Sequence, residues 1–562
     1  MCKKGYKSTT LDNGKLYNSF MSSLPRGPEK SSFLKLSEYG VYIGFHRLSI
    51  MDPSTKGDQP FVVETDDKII YTICNGEIYY FKELCEKYDI HPSSGSDCEV
   101  LAHLYLKIGI EALVKEIIAE YAFVICEIQK SSGDVTVYTS RDHCGIRPLF
   151  ITGNENEVVL SSQLSGSPFL DKNYEIKQFP PRTFLRINNT DEKMYDSSAK
   201  YIEYINFGEI KTTITDLEKA KKLIRETLKE AVECRMMSDR PVACLLSGGL
   251  DSSLVVDLVS NYCKRHEQEL YTFSIGLEGG TDEYYAKKVS EAVGSIHVHI
   301  TVTEDELIET YNMIHKISET YDITTNRAIV LQYLVSKYVR EYKDKDKEKW
   351  KDIKVLLIGD GSDELFGGYL YFHKAPTPEK YHNEIVRLLD NIHVHDVLRA
   401  DRGIASNGLE GRDPFLDKRL IQLVLSIKPE YRMVTGGVEK WLLRESFKNE
   451  TKLPNEVLYR KKEAFSDGVS SVKRSWYSII QENVNSIYSD EEFKELSSKY
   501  THCQPISKES LYLRKQFEKE YGDGYETAKV VPFIWMPLKE WVGDVGDPSA
   551  RKLTVYSSSE VV

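Results

Sequence analysis

The chain contains no Gly-Lys-Ser/Thr phosphate loop, no Gly-x-Gly-x-x-Gly fingerprint and no CxxC pair, and no uncharged apolar run is long enough to cross a bilayer. The first two absences exclude a Walker nucleotide loop and a dinucleotide fingerprint. Ten cysteines lie scattered at 2, 74, 85, 98, 126, 144, 234, 244, 263 and 503, so neither a disulfide framework nor a compact zinc cluster is expected. That usage suits a reduced, cytosolic protein. "MCKKGYKSTT" carries charge with no apolar h-region behind it, and "SSSEVV" is no lipidation or retrieval signal, so neither secretion nor a membrane anchor is expected. Positive charge is in deficit: the formal net charge of −12 argues against nucleic acid or anionic lipid as the main partner.

What is present is enough for more than one core: 562 residues, 41% of them hydrophobic. "YGVYIGFHRLSIM", "KIIYTICNGEIYY", "YAFVICEIQ" and "DVTVYTSRD" are β-branched and aromatic runs. Helical periodicity in "SDCEVLAHLYLKIGIEALVKEIIAE" separates them, which predicts an α+β domain. From Asp216 helices (Leu217–Glu233, Thr281–Ala292, Ala328–Tyr342) alternate with short strands (Val242–Leu246, Leu270–Ile275, Val355–Ile358). That is the pattern of a doubly wound parallel sheet. The boundary is expected between "MYDSSAKYIEY" and "TTITDLEKAKKL", giving domains 1–205 and 206–562. The charge run 341–352 reads as a solvated helix end, and the pairs His297/His299 and His393/His395 as strand alternation rather than metal ligands.

"PVACLLSGGLDSSLVVDLVSNY" reads strand, loop, helix. Gly248 and Gly249 allow a tight turn, and the free N–H groups of Leu250, Asp251 and Ser252 open a helix whose end attracts anions. Ser247, Ser252 and Ser253 add hydroxyl donors. Asp251 is a carboxylate among groups that favour a negative ligand, which suggests Mg²⁺ bridging it to a phosphate. "VLLIGDGSDELFGGYLYFHKAP" has the same strand-to-glycine-loop form, so both loops should face one cleft beyond the strand ends. Asp360, Asp363 and Glu364 then bring further carboxylates toward the phosphate loop, an arrangement suited to Mg²⁺ and nucleotide.

"LLSGGLDSS" resembles the pyrophosphatase loop of enzymes that split ATP between its α and β phosphates. With the second loop, "ETYDITTNRA", "LRADR", "PFLDKRL", "RKKEAFSDGVSSVKRSW" and "WMPLKEW…DPSAR", the chain resembles glutamine-hydrolysing asparagine synthetases. "RGPE", "GFHRLSIMDP", "NGEIY", "GSDCEV" and "SRDHCGIRPLF" extend the likeness through the first half. The resemblance implies a layered αββα glutaminase domain ahead of the doubly wound one. It implies a β-aspartyl-AMP intermediate made from aspartate and ATP, then displacement of AMP by ammonia taken from glutamine and passed through a buried channel.

By that resemblance Leu246, Ser247, Gly248, Gly249, Asp251, Ser252, Ile275, Ile358 and Gly359 hold ATP, and Asp251 and Asp363 hold Mg²⁺–pyrophosphate. Asp360 stands in the loop important to synthesis, Lys462 neutralises phosphate charge, and Thr324 and Arg327 serve aspartate. Cys2, freed of the initiator Met, is the implied nucleophile with its own amino group as base. Asn75 and Gly76 match the oxyanion-hole donors, and Arg47, Glu77 and Asp97, with Asn75 and Gly76, the glutamine contacts. A homodimer is implied as well.

Several positions depart from the family pattern. Ile358-Gly359-Asp360-Gly361 replaces Ser-Gly-Glu-Gly, Asp413 stands where an apolar residue is usual, Lys3-Lys4 follows Cys2 in place of an apolar strand, and Glu29 and Gln163 replace Asp and Glu. "IIAEYAF" lacks the Asp-Gly often found there. These keep open an ammonia-dependent synthetase with an impaired glutaminase, and a nucleotide-binding regulator without turnover.

Overall fold

A computed structural model describes residues 1–6, 13–170, 174–196, 198–342, 352–462, 474–543 and 547. Strands β1 (Lys30–Leu36) and β2 (Val41–Arg47) form a hairpin, and the helix Asn13–Met21 lays Phe20 over Gly44 and stacks it on His46 at 3.9 Å. The chain then builds β3 (Phe61–Glu64), β4 (Lys68–Tyr79), β5 (Ile118–Gln129) and β6 (Val135–Arg141). A small sheet of β7 (Phe150–Gly153), β8 (Val158–Ser161) and β9 (Glu175–Gln178) follows before β10 (Thr183–Asn188) and β11 (Ile202–Glu203) rejoin the larger sheet, whose order is β11-β10-β6-β5-β4-β3.

The central strand β5 shows why this sheet is buried on both faces. Phe123 and Ile125 enter a core shared with Leu101 and Leu104 of the helix Val100–Glu116, while Ala122, Cys126 and Ile128 point the other way, into a core shared with Val41, Ile43 and Ile151. Alternation with period two divides one strand between two cores. Layers of helix, sheet and sheet result, with the helix Asn13–Met21 outermost.

The second half is a five-stranded parallel sheet of order β14-β13-β12-β15-β16, from β12 (Val242–Leu245), β13 (Tyr271–Gly276), β14 (Ile296–Thr301), β15 (Val355–Leu357) and β16 (Glu410–Arg412). Cys244, Val355 and Leu357 face the helices Leu217–Cys234, Leu250–Arg265 and Thr281–Val293; Ala243 and Leu356 face Glu304–Met313 and Ile323–Glu341. The expected doubly wound sheet is present.

Some elements differ from expectation. The helix expected from Ala328 begins at Ile323, because Asp322 caps it: its carboxylate accepts the Thr325 N–H at 2.9 Å. The helix ends at Glu341; most of the charge run lies outside the described residues. His297 and His299 lie on β14, bonded to Thr272 and Ser274, but His393 and His395 do not belong to a strand: they sit in the turn Ile392–Val394 and just after it, where His393 Nδ1 lies 3.1 Å from the Asp390 carbonyl.

The halves meet through buried charge. Glu120 of β5, with no exposed surface, lies 2.7 Å from Arg235 Nε and 3.1 Å from Arg147 Nη2, and Arg235 continues to Asp417 at 2.9 Å. Removing one member of such a set strands its partners in a dry interior. Glu120→Ala is expected to lose about 3–5 kcal/mol, read as a lower urea midpoint, and Glu120→Gln to lose less. Equal midpoints for Glu120→Ala and the parent chain would remove the network from the list of stabilising contacts.

Candidate active sites

Both glycine loops open on one cleft of about 300 Å³ at the carboxyl ends of β12 and β15. Leu246, Ser247, Gly249, Asp251, Ser252 and Ile275 line it from the first side, Ile358, Gly359, Asp360 and Asp363 from the second, and Thr324, Arg327 and Lys462 from above. Gly248 does not line it. With φ +74° it presses the loop onto the helix Thr281–Val293, where a Cβ would lie 2.5 Å from the Ala286 nitrogen. The loops touch at Gly359, whose Cβ would meet the Ser252 nitrogen at 2.7 Å. Ser247 Oγ and Ser252 Oγ are 3.0 Å apart, and the Gly249 N–H donates to Ser247 at 3.3 Å. The hydroxyl-bearing Ser247 and Ser252 and the helix-opening Leu250 and Asp251 all line the cleft, as an anion site needs. Ser253, in contrast, is buried within the helix.

The charged side chains are tied in pairs. Lys462 Nζ lies 2.6 Å from Asp363 Oδ2, and a further lysine, Lys440, bonds Asp251 and Asp363 together. The two ammonium groups hold the Asp363 carboxyl well below the usual carboxylate range despite its burial. Asp360 is drawn back: Arg399 donates to its Oδ1 at 3.1 Å and Gln332 to its Oδ2 at 3.4 Å. Thr324 donates to the cap residue Asp322 at 2.6 Å. Arg327 forks onto Glu509 at 2.9 and 2.6 Å and also reaches Asp547 at 3.1 Å. Sequence reading gave no role to Lys440, Arg399 or Arg460, although the last two fall within "LRADR" and "RKKEAFSDGVSSVKRSW"; Arg460 bonds Asp282 at 2.8 Å beside the first loop. Their signal was weak, since each lies far along the chain from the loop it serves. The rest of "KKEAFSDG" beyond Lys462 lies outside the described residues.

A second cavity of about 270 Å³ sits in the first half, lined by Arg47, Asn75, Gly76, Glu77 and Asp97. Gly76, φ +139°, is required there, because a Cβ would stand 1.9 Å from the Glu120 carbonyl oxygen. Arg47 donates to Asp58 at 2.6 Å and to the Ser54 carbonyl at 2.7 Å. Glu77 pairs with Arg412 at 3.1 Å through Oε1, while its buried Oε2 has no hydrogen-bond partner. Burial and the nearby Asp97 raise the Glu77 carboxyl well above its ordinary value. Burial likewise pushes Asp97 up to about 6, against the opposing bond from the Ile78 N–H.

Cys2 does not line this cavity. Its N–H donates to the Gly40 carbonyl at 2.9 Å and it bridges Glu157, while the Met1 ammonium donates to the Val158 carbonyl at 2.8 Å. Met1 packs against the core cluster that holds Cys126, and Cys126 is four residues along β5 from Ala122, the partner of Asn75. Four residues of strand separate the two by about 13 Å. Burial raises the Cys2 thiol, the opposite of what activates a nucleophile. The physical reason is local: the Lys3 and Lys4 N–H groups donate to the Asn156 and Asn189 carbonyls, which, with the single bridge from Cys2 to Glu157, fixes the chain start away from the cavity.

One strand parts the cavities. Glu410 of β16 lines the second, and the Ile358 N–H of the first donates to the Arg412 carbonyl at 3.1 Å.

A nucleotide-type cleft and a separate small cavity rich in paired charge define a two-site protein, an amidotransferase half joined to a synthetase half. A glutamine amidotransferase domain model matches residues 3–221, and an asparagine synthase model matches 223–385 and 375–530. The chain is 37% identical over 96% of both chains to an asparagine synthetase [glutamine-hydrolyzing] of Cricetulus griseus, 37% to that of Gallus gallus and 36% to that of Homo sapiens, each again over 96%. The chain belongs to the glutamine-hydrolysing asparagine synthetase family.

If Asp97 takes the amine of a bound amino acid, it must be ionised. Its charge is present above pH about 6 and lost below, so glutamine affinity, read by calorimetry, is expected to fall about tenfold per unit below that point. Affinity constant between pH 5 and 8 would take Asp97 out of the contact.

Proposed function

We propose that this protein makes asparagine from aspartate and ATP with nitrogen from glutamine, releasing AMP, pyrophosphate and glutamate. The observation that carries the reading is the single cleft where both glycine loops, Lys462 and Arg327 converge. A carboxylate is a poor electrophile until an oxygen becomes part of a leaving group, and the cleft supplies what adenylation needs. Ser247, Ser252 and the helix-opening N–H groups bind phosphate, and Lys462 offsets its charge. Asp251 and Asp363 are hard oxygen donors that fit Mg²⁺, which would shield the pyrophosphate as it leaves. Arg327 and Thr324 orient aspartate, and Asp360, held by Arg399, takes a proton from the attacking ammonia. Leu246, Ile275, Ile358 and Gly359 enclose the nucleotide.

In the other half, Arg47, Glu77 and Asp97 clamp the charged end of glutamine, with Asn75 and Gly76 beside its amide. Cys2 is the nucleophile we propose. To serve, it must lose Met1 and exchange the bonds to Gly40 and Glu157 for a place in the cavity. The β16 partition then gives ammonia a short route between the sites. Domains 1–205 and 206–562 divide the work. The family resemblance supports a homodimer and a cytosolic setting; among the described residues no helix is long and apolar enough to cross a membrane.

Asparagine and pyrophosphate are expected from ATP, aspartate and ammonium, and Cys2→Ala should leave that rate within about twofold because the nucleophile plays no part in it. With glutamine instead, Cys2→Ala should make no asparagine, and glutamine-driven synthesis that survives would assign the nucleophile elsewhere. Asp360→Asn should lower kcat with ammonium at least about tenfold. Unchanged turnover would leave Asp360 a structural partner of Arg399.

A further inference from the structure

The first loop has no lysine of its own, and the two carboxylates beside it are already paired with ammonium groups. Lys440 Nζ lies 2.7 Å from both oxygens of Asp251, 2.6 Å from Asp363 Oδ1 and 3.3 Å from Ser362 Oγ. Its side chain is only 2% exposed. The backbone at Lys440 is left-handed, φ +54°, a strained conformation for a residue with a Cβ. Gly368 makes room for the side chain, since a Cβ there would stand 2.0 Å from Lys440 Cε and 2.0 Å from Asp363 Oδ1. Lys462 holds the remaining oxygen of Asp363.

A buried amine gathering four oxygens fills the position between two acids that a divalent ion takes in a phosphate site. Two carboxylates meet two ammonium groups, so the charge of the cluster balances. Among the described residues no group of three or more His, Cys, Asp or Glu could hold a metal. With two protein carboxylates to offer, a divalent ion there completes its shell from water or from the oxygens of bound phosphates.

We infer that Lys440 is the resident cation of the pyrophosphate site and that a divalent ion enters only with the nucleotide's phosphates, as Lys440 turns from Asp251 and Asp363 to a phosphate oxygen. The inference rests on the reading that this cleft takes ATP. It gives Lys440 two successive jobs. In the free protein it keeps two acids together without a metal, and in the loaded one it supplies, from a distant helix start, the positive contact that Walker loops carry within themselves.

The test uses Mn²⁺ as the probe, followed by electron paramagnetic resonance with the full chain. Without nucleotide the parent protein is expected to leave the free-ion spectrum intact, and α,β-methylene-ATP should then immobilise the ion. Lys440→Met should bind Mn²⁺ at least about tenfold more tightly than the parent with no nucleotide present, and adding Asp363→Asn should abolish the gain. Tight Mn²⁺ uptake by the nucleotide-free parent overturns the inference, as does a folded Lys440→Met that gains nothing. The parent arm decides the matter even if Lys440→Met fails to fold. Calorimetry with α,β-methylene-ATP separates the two claims. No heat from either protein would sink the ATP reading, whereas normal nucleotide binding with an unchanged manganese spectrum in Lys440→Met would sink the role of Lys440 alone.

Discussion

Glu120 is an acid without solvent, and its ionised form survives because Arg147 and Arg235 stand on either side. Coulomb attraction is strong in such an interior, and so is the penalty for a missing partner. The set is therefore all or none. Its members come from β5, from the turn before β7 and from the end of the helix Leu217–Cys234, so it fixes how one half lies on the other. Arg412 joins it by donating to the Arg235 carbonyl at 2.7 Å while pairing with Glu77 at 3.1 Å. In this way the charge that docks the halves also orients an acid in the smaller cavity. Asp413 adds to the cost: burial and the neighbouring Glu120 raise its carboxyl well above the ordinary range, and its Oδ1 has no hydrogen-bond partner.

Much of this was legible in the chain because it is local. "LLSGGLDSS" encodes strand, turn and helix in nine residues, each step following from glycine freedom and apolar spacing. The second loop repeats the form, and the parallel sheet predicts that both face the same way. The resemblance carried by "NGEIY" pointed to Asn75, Gly76 and Glu77, which are consecutive on β4 and line one cavity.

What sequence could not give is long-range. Lys440 sits in "VEKWLLRESF", which reads as an ordinary helix start, and nothing in it announces a bond to Asp251 189 residues earlier. The tether from Arg399 to Asp360 crosses 39 residues. Cys2 is the opposite case. Its residue type pointed to the cavity, but position is set by backbone pairing, and Lys3 and Lys4 settle that pairing with Asn156 and Asn189. The helix expected from Ala328 was mistimed for a similar reason, because the β-branched "ITT" obscured a start that Asp322 determines by capping.

The partition between the cavities is only three residues of strand, Glu410 to Arg412, and both chambers are bonded to it. Gly411 has no room to grow, since a Cβ would lie 2.7 Å from Ile404 Cδ1. A ligand that shifts this strand from one side shifts it for the other. Thermodynamic linkage then imposes a symmetry: whatever factor an occupant of the smaller cavity applies to affinity in the larger one, the larger one's occupant must return in full.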